Sequence, residues 1–247
     1  MNLVYIFSGY YAGFPDSLRS AQSNCGCPVT VIDHPETFGV WGETISKLSQ
    51  HCDADWQRFA IARWVLLREL IQSGKVKLPV FCSDWDILFF SNLNESMRPF
   101  VNFDYCASIT HDEGVPLSSA AYCVNTIEPL NHFCDLIDSI YRNSIPRPEM
   151  TDMSAWSEVT NSKKFTVGDL FSIQNNSVFD HNISCGIDRF QMHNPDARIA
   201  FRTKKIVWVD RSPFFMRLDK SLIKAHTIHC WGPFKGKTGR LCKTAGI

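Results

Sequence analysis

Two carboxylates one residue apart, in Asp84-Trp85-Asp86, interrupt an apolar stretch that runs from Leu78 to Phe81 and resumes at Ile87-Leu88-Phe89-Phe90. Acids at the end of a buried strand are costly, because a carboxylate carried into a dry interior needs a compensating cation. A divalent metal with oxygen ligands supplies that compensation and keeps open positions for substrate oxygens and water. We therefore read Asp84 and Asp86 as metal ligands, against the alternative of two solvated acids in a turn. A diphosphate is the natural occupant of the open positions. A metal bridging two phosphate oxygens neutralises the charge that develops on a departing nucleoside diphosphate.

A second group of reactive side chains lies near the C-terminus, in His226-Thr227-Ile228-His229-Cys230-Trp231-Gly232-Pro233-Phe234-Lys235. His229 offers an imidazole as a third metal ligand, Gly232 lets backbone approach a phosphate, and Lys235 brings a point charge to it. Taken singly, such a histidine is more often a hydrogen-bonded structural residue and such a lysine a solvated one. Tyr10 and Tyr11 follow the first apolar run, where a nucleobase would stack. Trp85, between the two acids, lines the pocket or packs as core, and core is the reading preferred here. Should the chemistry require a general base, Asp169 and Asp188 are the available carboxylates.

The elements that must hold these residues alternate. Leu3 to Phe7 and Val29 to Ile32 read as buried strands. Asp55 to Gln72 has helical spacing of Phe59, Ala62, Val65, Leu66 and Leu70 and stops at Gly74, after which a strand delivers Asp84. Tyr105 to Ile109 and Ala120 to Val124 read as further strands, Glu128 to Tyr141 as an amphipathic helix, and Lys205 to Val209 as another strand. Gly168-Asp169-Leu170-Phe171 reads as the start of a short helix. This order predicts an α/β fold with a mixed, mostly parallel sheet flanked by helices. A proline-rich stretch, Ser144 to Pro148, separates a nucleotide-facing part from a more variable one.

Composition excludes more than it identifies. With 247 residues the chain fits one large domain, read here as 1–247, and its balance of 25 basic and 25 acidic residues argues against a broad nucleic-acid binder. A local basic cluster, Lys235, Lys237, Arg240 and Lys243, remains available to phosphate. The apolar run at the N-terminus is too short for a signal peptide, and no stretch reaches membrane-spanning length. The expectation is a cytoplasmic protein whose 10 cysteines are free thiols, since none shows paired zinc-ligand spacing. A structural zinc site of His226, His229, Cys230 and Cys242 is the alternative for the C-terminal group.

In its motifs the sequence resembles the GT-A fold glycosyltransferases, with Asp84-Trp85-Asp86 as their D-x-D. His229, Gly232 and Lys235 match the H-x-x-G-x-x-K of the retaining, glycogenin-like enzymes, and Asp55-Trp56-Gln57-Arg58 is similar to the D-x-x-R of glycosyltransferases with a sugar-binding D-x-D region. The resemblance implies a single Rossmann-like domain, with residues 1–110 as the nucleotide-sugar-binding half and 111–247 as the acceptor half with the C-terminal metal and diphosphate motif. It implies Mn²⁺ or Mg²⁺ on Asp84, Asp86 and His229, and a nucleotide-sugar donor, a UDP-sugar, contacted by Asp55, Arg58, Tyr10, Gly232 and Lys235. A glycan or other hydroxyl acceptor and retention of configuration are also implied. Ser118 stands where those enzymes carry an asparagine, in Ser118-Ser119-Ala120-Ala121-Tyr122-Cys123-Val124-Asn125, and Asp169 falls near their aspartate beside the sugar. A nucleotidyltransferase would show a Gly-rich loop, of which Ser8-Gly9-Tyr10-Tyr11-Ala12-Gly13 is a poor example. A non-catalytic carbohydrate- or partner-binding protein on the same fold is the reading from another class.

Overall fold

Apolar runs become strands where the alternation placed them. The computed structural model describes residues 1–9, 11, 13–110, 117–143, 150–194 and 202–247. It divides into a unit of Met1–Gly9, Pro28–Ser83 and Phe100–Gly168 and a unit of Tyr10–Cys27, Asp84–Pro99 and Asp169–Ile247.

The first unit is built on a six-stranded sheet in the order Val29–Ile32, Asn2–Ile6, Val80–Ser83, Leu117–Val124, Tyr105–Thr110, Val167–Asp169. Its first three strands pair in parallel, with Leu3 opposite Val29 and Asn2 opposite Val80, whereas Leu117–Val124 runs antiparallel to both neighbours. Parallel pairing needs a crossover, and the helices Gly39–Leu48 and Asp55–Gln72 lie in the connection from Val29–Ile32 to Val80–Ser83. The longer helix has the bounds its periodicity predicted. Gln57 Oε1 accepts the Ala54 N–H at 3.1 Å at its start, and Gly74, at φ +74°, follows its C-cap.

Its buried face brings Trp64 against Tyr122 and Trp156, edge to face at 4.8 and 5.3 Å between ring centroids. Asp152, buried at the start of helix Asp152–Asn161, accepts from Arg63 Nη2 at 2.5 Å and from Trp64 Nε1 at 3.1 Å. Arg63 is thereby a core-anchoring residue. The segment Glu149 to Lys164 carries no readable motif; a reciprocal cap between Thr151 and Ser154, at 3.2 and 2.9 Å, starts the helix.

In the second unit the strand Ile87–Phe89 pairs antiparallel with Thr227–His229, placing His229 opposite Ile87. Helix Phe14–Asn24 hydrogen-bonds the same short strand through side chains: Ser17 Oγ donates to the Ile87 carbonyl at 2.5 Å, Ser20 Oγ accepts the Phe89 N–H at 3.0 Å, and Asn24 donates to the Phe89 carbonyl at 2.8 Å. Buried backbone groups that would be orphaned at a sheet edge are satisfied this way. A four-stranded sheet, Ile206–Val209, Ser212–Met216, Leu222–Ala225, Ser177–Val178, a two-residue pair Met192–His193 with Thr203–Lys204, and the C-terminal helix Thr238–Ala245 complete the unit. Its core includes Leu88, Phe190, Phe215 and Ile228.

One expected element is different. Gly168 to Phe171 does not start a helix: Val167–Asp169 is a short strand, and the Asp169 side chain accepts the Phe171 N–H at 2.9 Å to form a turn. An aspartate that satisfies the backbone two residues on competes with helix propagation. Gly168 is needed for close packing, since a Cβ there would lie 2.9 Å from Cys106 Sγ and from the Phe103 ring. The ten cysteines are free thiols. Among the described residues no helix is long and apolar enough to cross a membrane.

Candidate metal centre

The chain leaves strand Val80–Ser83, turns through Asp84-Trp85-Asp86 and enters strand Ile87–Phe89. Because Ile87 is paired with His229 and the Asp86 carbonyl accepts the Cys230 N–H at 2.9 Å, the two motifs are held side by side by backbone. One ligand atom each from Asp84, Asp86 and His229 fall within 4.8 Å of one another, the one group of three or more metal-ligating side chains among the described residues. Asp86 and His229 are buried and Asp84 half-buried, so the cluster has a closed back and an open side.

Asp86 carries the electrostatic argument. Lys235 Nζ lies 3.1 Å from its Oδ2 and His229 Nε2 lies 3.4 Å from its Oδ1, while Oδ1 is buried without a hydrogen-bond partner. Burial pushes the carboxyl upward, but His229 and Lys235 outweigh it and hold Asp86 below the ordinary range. For His229, burial acts downward and is overcome by Asp86 and by the His181 carbonyl, which raise the imidazole to about 9. A buried carboxylate oxygen without a hydrogen bond, 3.4 Å from an imidazole nitrogen, is a fit for a cation.

The tautomer is set for this. His229 Nδ1 donates to the His181 carbonyl at 2.6 Å, so in the neutral ring Nε2 carries the lone pair, on the side of Asp86. Behind the ring, Asp180 Oδ2 accepts the His229 backbone N–H at 3.0 Å, and its Oδ1 accepts from Lys204 Nζ at 2.6 Å. Both members of that ion pair are fully buried, and Lys204 also donates to the Asn182 carbonyl at 2.5 Å. The Ile183 N–H returns to the His229 carbonyl at 3.1 Å. Nothing in the spacing of Asp180 and Lys204 signals this pairing; Lys204 lies in the basic run Arg202-Thr203-Lys204-Lys205, which reads as surface.

Trp85 is not the core residue its composition suggests. It is half-buried, stacked on Tyr11 at 4.5 Å and 14°, with Lys235 Nζ 4.3 Å from its ring centroid. A Cβ at Gly13 would come to 3.2 Å from the same ring. Trp85 thus holds the ammonium group over Asp86. Gly232 begins the 3₁₀ turn Gly232–Lys237 at φ +59°, with open space where a Cβ would stand, so it is the backbone conformation that favours glycine there.

His226 does not join the cluster: Ser91 Oγ and Ser177 Oγ occupy its two nitrogens at 2.9 and 2.8 Å, and burial, followed by Lys224, lowers it to about 4. That hydrogen bonding removes it from a zinc set with Cys230 and Cys242. Asp55 and Arg58 belong to the first unit, where Arg58 binds Asp55 at 2.8 Å and the carbonyls of Cys52 and Asp53 at 3.0 Å each. Ser118 lies in strand Leu117–Val124 opposite Ile109. Asp188 is exposed and sits 3.7 Å from Arg189. Tyr10 lies outside the described residues.

No family model matches the sequence, and no curated protein matches it. Solved structures do. The galactosyltransferase LgtC, in complex with donor and acceptor sugar analogues, superposes with a TM-score of 0.52 at 13% identity, over 100% of this chain and 95% of that one. An active-site mutant of LgtC gives 0.54 at the same identity and coverage. The chain has the GT-A fold. Mouse xyloside xylosyltransferase 1, in its apo form, agrees at a TM-score of 0.50 and 10% identity over 72% of this chain and 88% of that one. The similarity to GT-A proteins expected from the two motifs therefore holds for the fold, and the cluster of Asp84, Asp86 and His229 lies within it.

Proposed function

We propose that this chain is a metal-dependent glycosyltransferase that moves a sugar from a UDP-sugar to a hydroxyl acceptor, with retention of configuration. One observation carries the reading: the convergence of Asp84, Asp86 and His229, with Lys235 3.1 Å from Asp86, in a chain of GT-A fold. The set of two carboxylates and one imidazole suits Mn²⁺ or Mg²⁺. When bound, such an ion acts as a Lewis acid on diphosphate oxygens. Lys235 supplies a second positive charge as the sugar–phosphate bond breaks, the acceptor oxygen joins the anomeric carbon and the acceptor's hydroxyl proton passes to the departing diphosphate. The His181 carbonyl fixes the His229 ring, and Asp84 would help to hold the ion and meet the ribose. Asp169 is our candidate on the sugar side and Asp55 with Arg58 on the donor. Free thiols throughout support a reducing, cytoplasmic setting.

The test is calorimetric titration with UDP and the other nucleoside diphosphates, with and without Mn²⁺, followed by anomer analysis of the product. Metal-dependent binding of one nucleotide and a retained anomer are expected. No nucleotide binding defeats the proposal, and an inverted product defeats its stereochemical part.

Proton release gives an independent check. With His229 raised to about 9, the ring is charged at neutral pH in the metal-free protein, and Nε2 must lose its proton before it ligates. Mn²⁺ binding at pH 7.5 should release about one proton, and apparent affinity should rise up to about tenfold per pH unit until pH passes 9. Titration in buffers of different ionisation enthalpy measures this, and a buffer-independent heat would remove His229 from the ligand set.

Lys235→Ala should separate two affinities. Without nucleotide the ammonium competes with a cation for Asp86, so its loss should strengthen Mn²⁺ binding a few-fold. With Mn²⁺ present, UDP affinity should fall by about tenfold, since one charge-assisted contact is missing. Parallel movement of both constants would contradict the assignment.

A further inference from the structure

His229 is gripped from behind by one short stretch of chain. Its strand pairs with Ile87–Phe89 through the N–H groups of Phe90 and Cys230, which donate to the carbonyls of His226 and Asp86 at 2.9 Å each. The amide and carbonyl of His229 itself turn the other way, to residues 180–183. Asp180 Oδ2 accepts the His229 N–H at 3.0 Å, the His181 carbonyl accepts from Nδ1 at 2.6 Å, and the Ile183 N–H donates to the His229 carbonyl at 3.1 Å. Lys204 closes this stretch. Its ammonium joins Asp180 Oδ1 at 2.6 Å to the Asn182 carbonyl at 2.5 Å, and its N–H donates to the Ile183 carbonyl at 2.8 Å. Thr227 Oγ1 accepts the Asp180 N–H at 2.9 Å and ties the backbone of the aspartate to the strand that carries His229.

Stability alone does not account for charges at this place, since well-packed apolar side chains often replace a buried ion pair with no loss. A carboxylate offers what an apolar group lacks, two acceptors at a fixed angle. Asp180 turns one to the ammonium of Lys204 and the other to the amide of a metal ligand. We propose that Asp180, held by Lys204, is a positioning residue for the metal centre: it sets where His229 Nε2 stands and so keeps nitrogen in the ligand set. The inference rests on the proposed metal centre and adds what governs the choice of ion there. An imidazole nitrogen favours a first-row transition ion over Mg²⁺, whereas carboxylates alone serve either. Nε2 lies 3.4 Å from Asp86 Oδ1, and a ligand displaced by more than about half an ångström no longer meets an ion held by its neighbours.

Two double variants isolate the acceptor. Lys204→Met/Asp180→Asn and Lys204→Met/Asp180→Leu both lack the ion pair, and only the first keeps an oxygen for the His229 N–H. Mn²⁺ binding is followed by electron paramagnetic resonance, its nitrogen hyperfine coupling by the pulsed experiment, and Mg²⁺ by competition. The Asn variant should keep the nitrogen coupling and hold Mn²⁺ within about threefold of the parent. In the Leu variant the coupling should disappear and Mn²⁺ should weaken about tenfold or more, the usual effect of losing a group that orients a ligand, with Mg²⁺ changed less than about threefold. Thr227→Val leaves both charges in place and should lower the Mn²⁺ to Mg²⁺ preference about threefold. A merely structural role would lower the urea midpoint and leave coupling and preference as they are. Parental coupling and preference in the Leu variant, or equal losses in the two double variants, would overturn the proposal. Should the Leu variant fail to fold, an unaltered preference in Thr227→Val would do the same. A parent that binds no Mn²⁺, or binds it without nitrogen coupling, would defeat the assignment of His229 as a ligand and this inference with it.

Discussion

Lys204→Met is expected to destabilise the protein by about 3–5 kcal/mol, the usual cost of removing one partner from a buried ion pair. Lys204 is fully buried, and its ammonium reaches Asp180 Oδ1 at 2.6 Å and the Asn182 carbonyl at 2.5 Å. The rings of Phe171, Phe190 and Phe215 surround it at 5.1, 5.5 and 5.2 Å, so the charge is stabilised by aromatic faces rather than by water. Methionine fills the stem but strands a buried carboxylate. That carboxylate also holds the His229 backbone N–H, so Mn²⁺ affinity should fall with stability. Lys204→Met/Asp180→Asn removes both charges and keeps an amide oxygen for His229, and it should recover most of the loss. Urea unfolding of the four proteins in this cycle gives the coupling directly. A single variant within about 1 kcal/mol of the parent would mean that the pair is structurally idle.

The contrast between that pair and the metal ligands explains what the sequence could and could not reveal. Asp84 and Asp86 are legible because chemistry forces a charge into an apolar run, and His229, Gly232 and Lys235 because their spacing belongs to a short turn. Helix Asp55–Gln72 is legible because eighteen residues of 3.6-residue periodicity leave little ambiguity. Lys204 and Asp180 are 24 residues apart, and their pairing depends on how Met192–His193 and Thr203–Lys204 join and how Ser177–Val178 leads into Asp180. No local pattern encodes that. Helix Asp152–Asn161 is not legible because its cap pairs Thr151 with a serine rather than with Glu or Gln, and Gly168-Asp169 is ambiguous because an aspartate there supports a helix start and an Asx turn equally well. Trp85 is ambiguous for a related reason: an aromatic between acids reads as core, and only the fold places Tyr11 and the ammonium of Lys235 on its ring.

Asp86→Asn should lower metal-dependent nucleotide affinity by at least about a hundredfold while leaving the protein folded. Asp86 is 2% exposed, and its Oδ1 is a buried acceptor without a hydrogen-bond partner. The substitution preserves volume and removes the charge that both Lys235 and a divalent cation use. Stability should change far less than affinity, because the largest upward influence on the His229 imidazole is Asp86 itself. Without that carboxylate the ring reverts to the neutral form that burial favours, and no uncompensated charge remains beside it. Asp86→Ala lacks this compensation of volume and is the poorer test. Mn²⁺ binding followed by electron paramagnetic resonance, with UDP titrated in parallel, reads the metal and the nucleotide separately. Loss of both in a protein with a parental urea midpoint supports a single shared centre. Unaltered Mn²⁺ and UDP binding would reduce Asp84-Trp85-Asp86 to a structural turn and would bring the carbohydrate- or partner-binding reading forward.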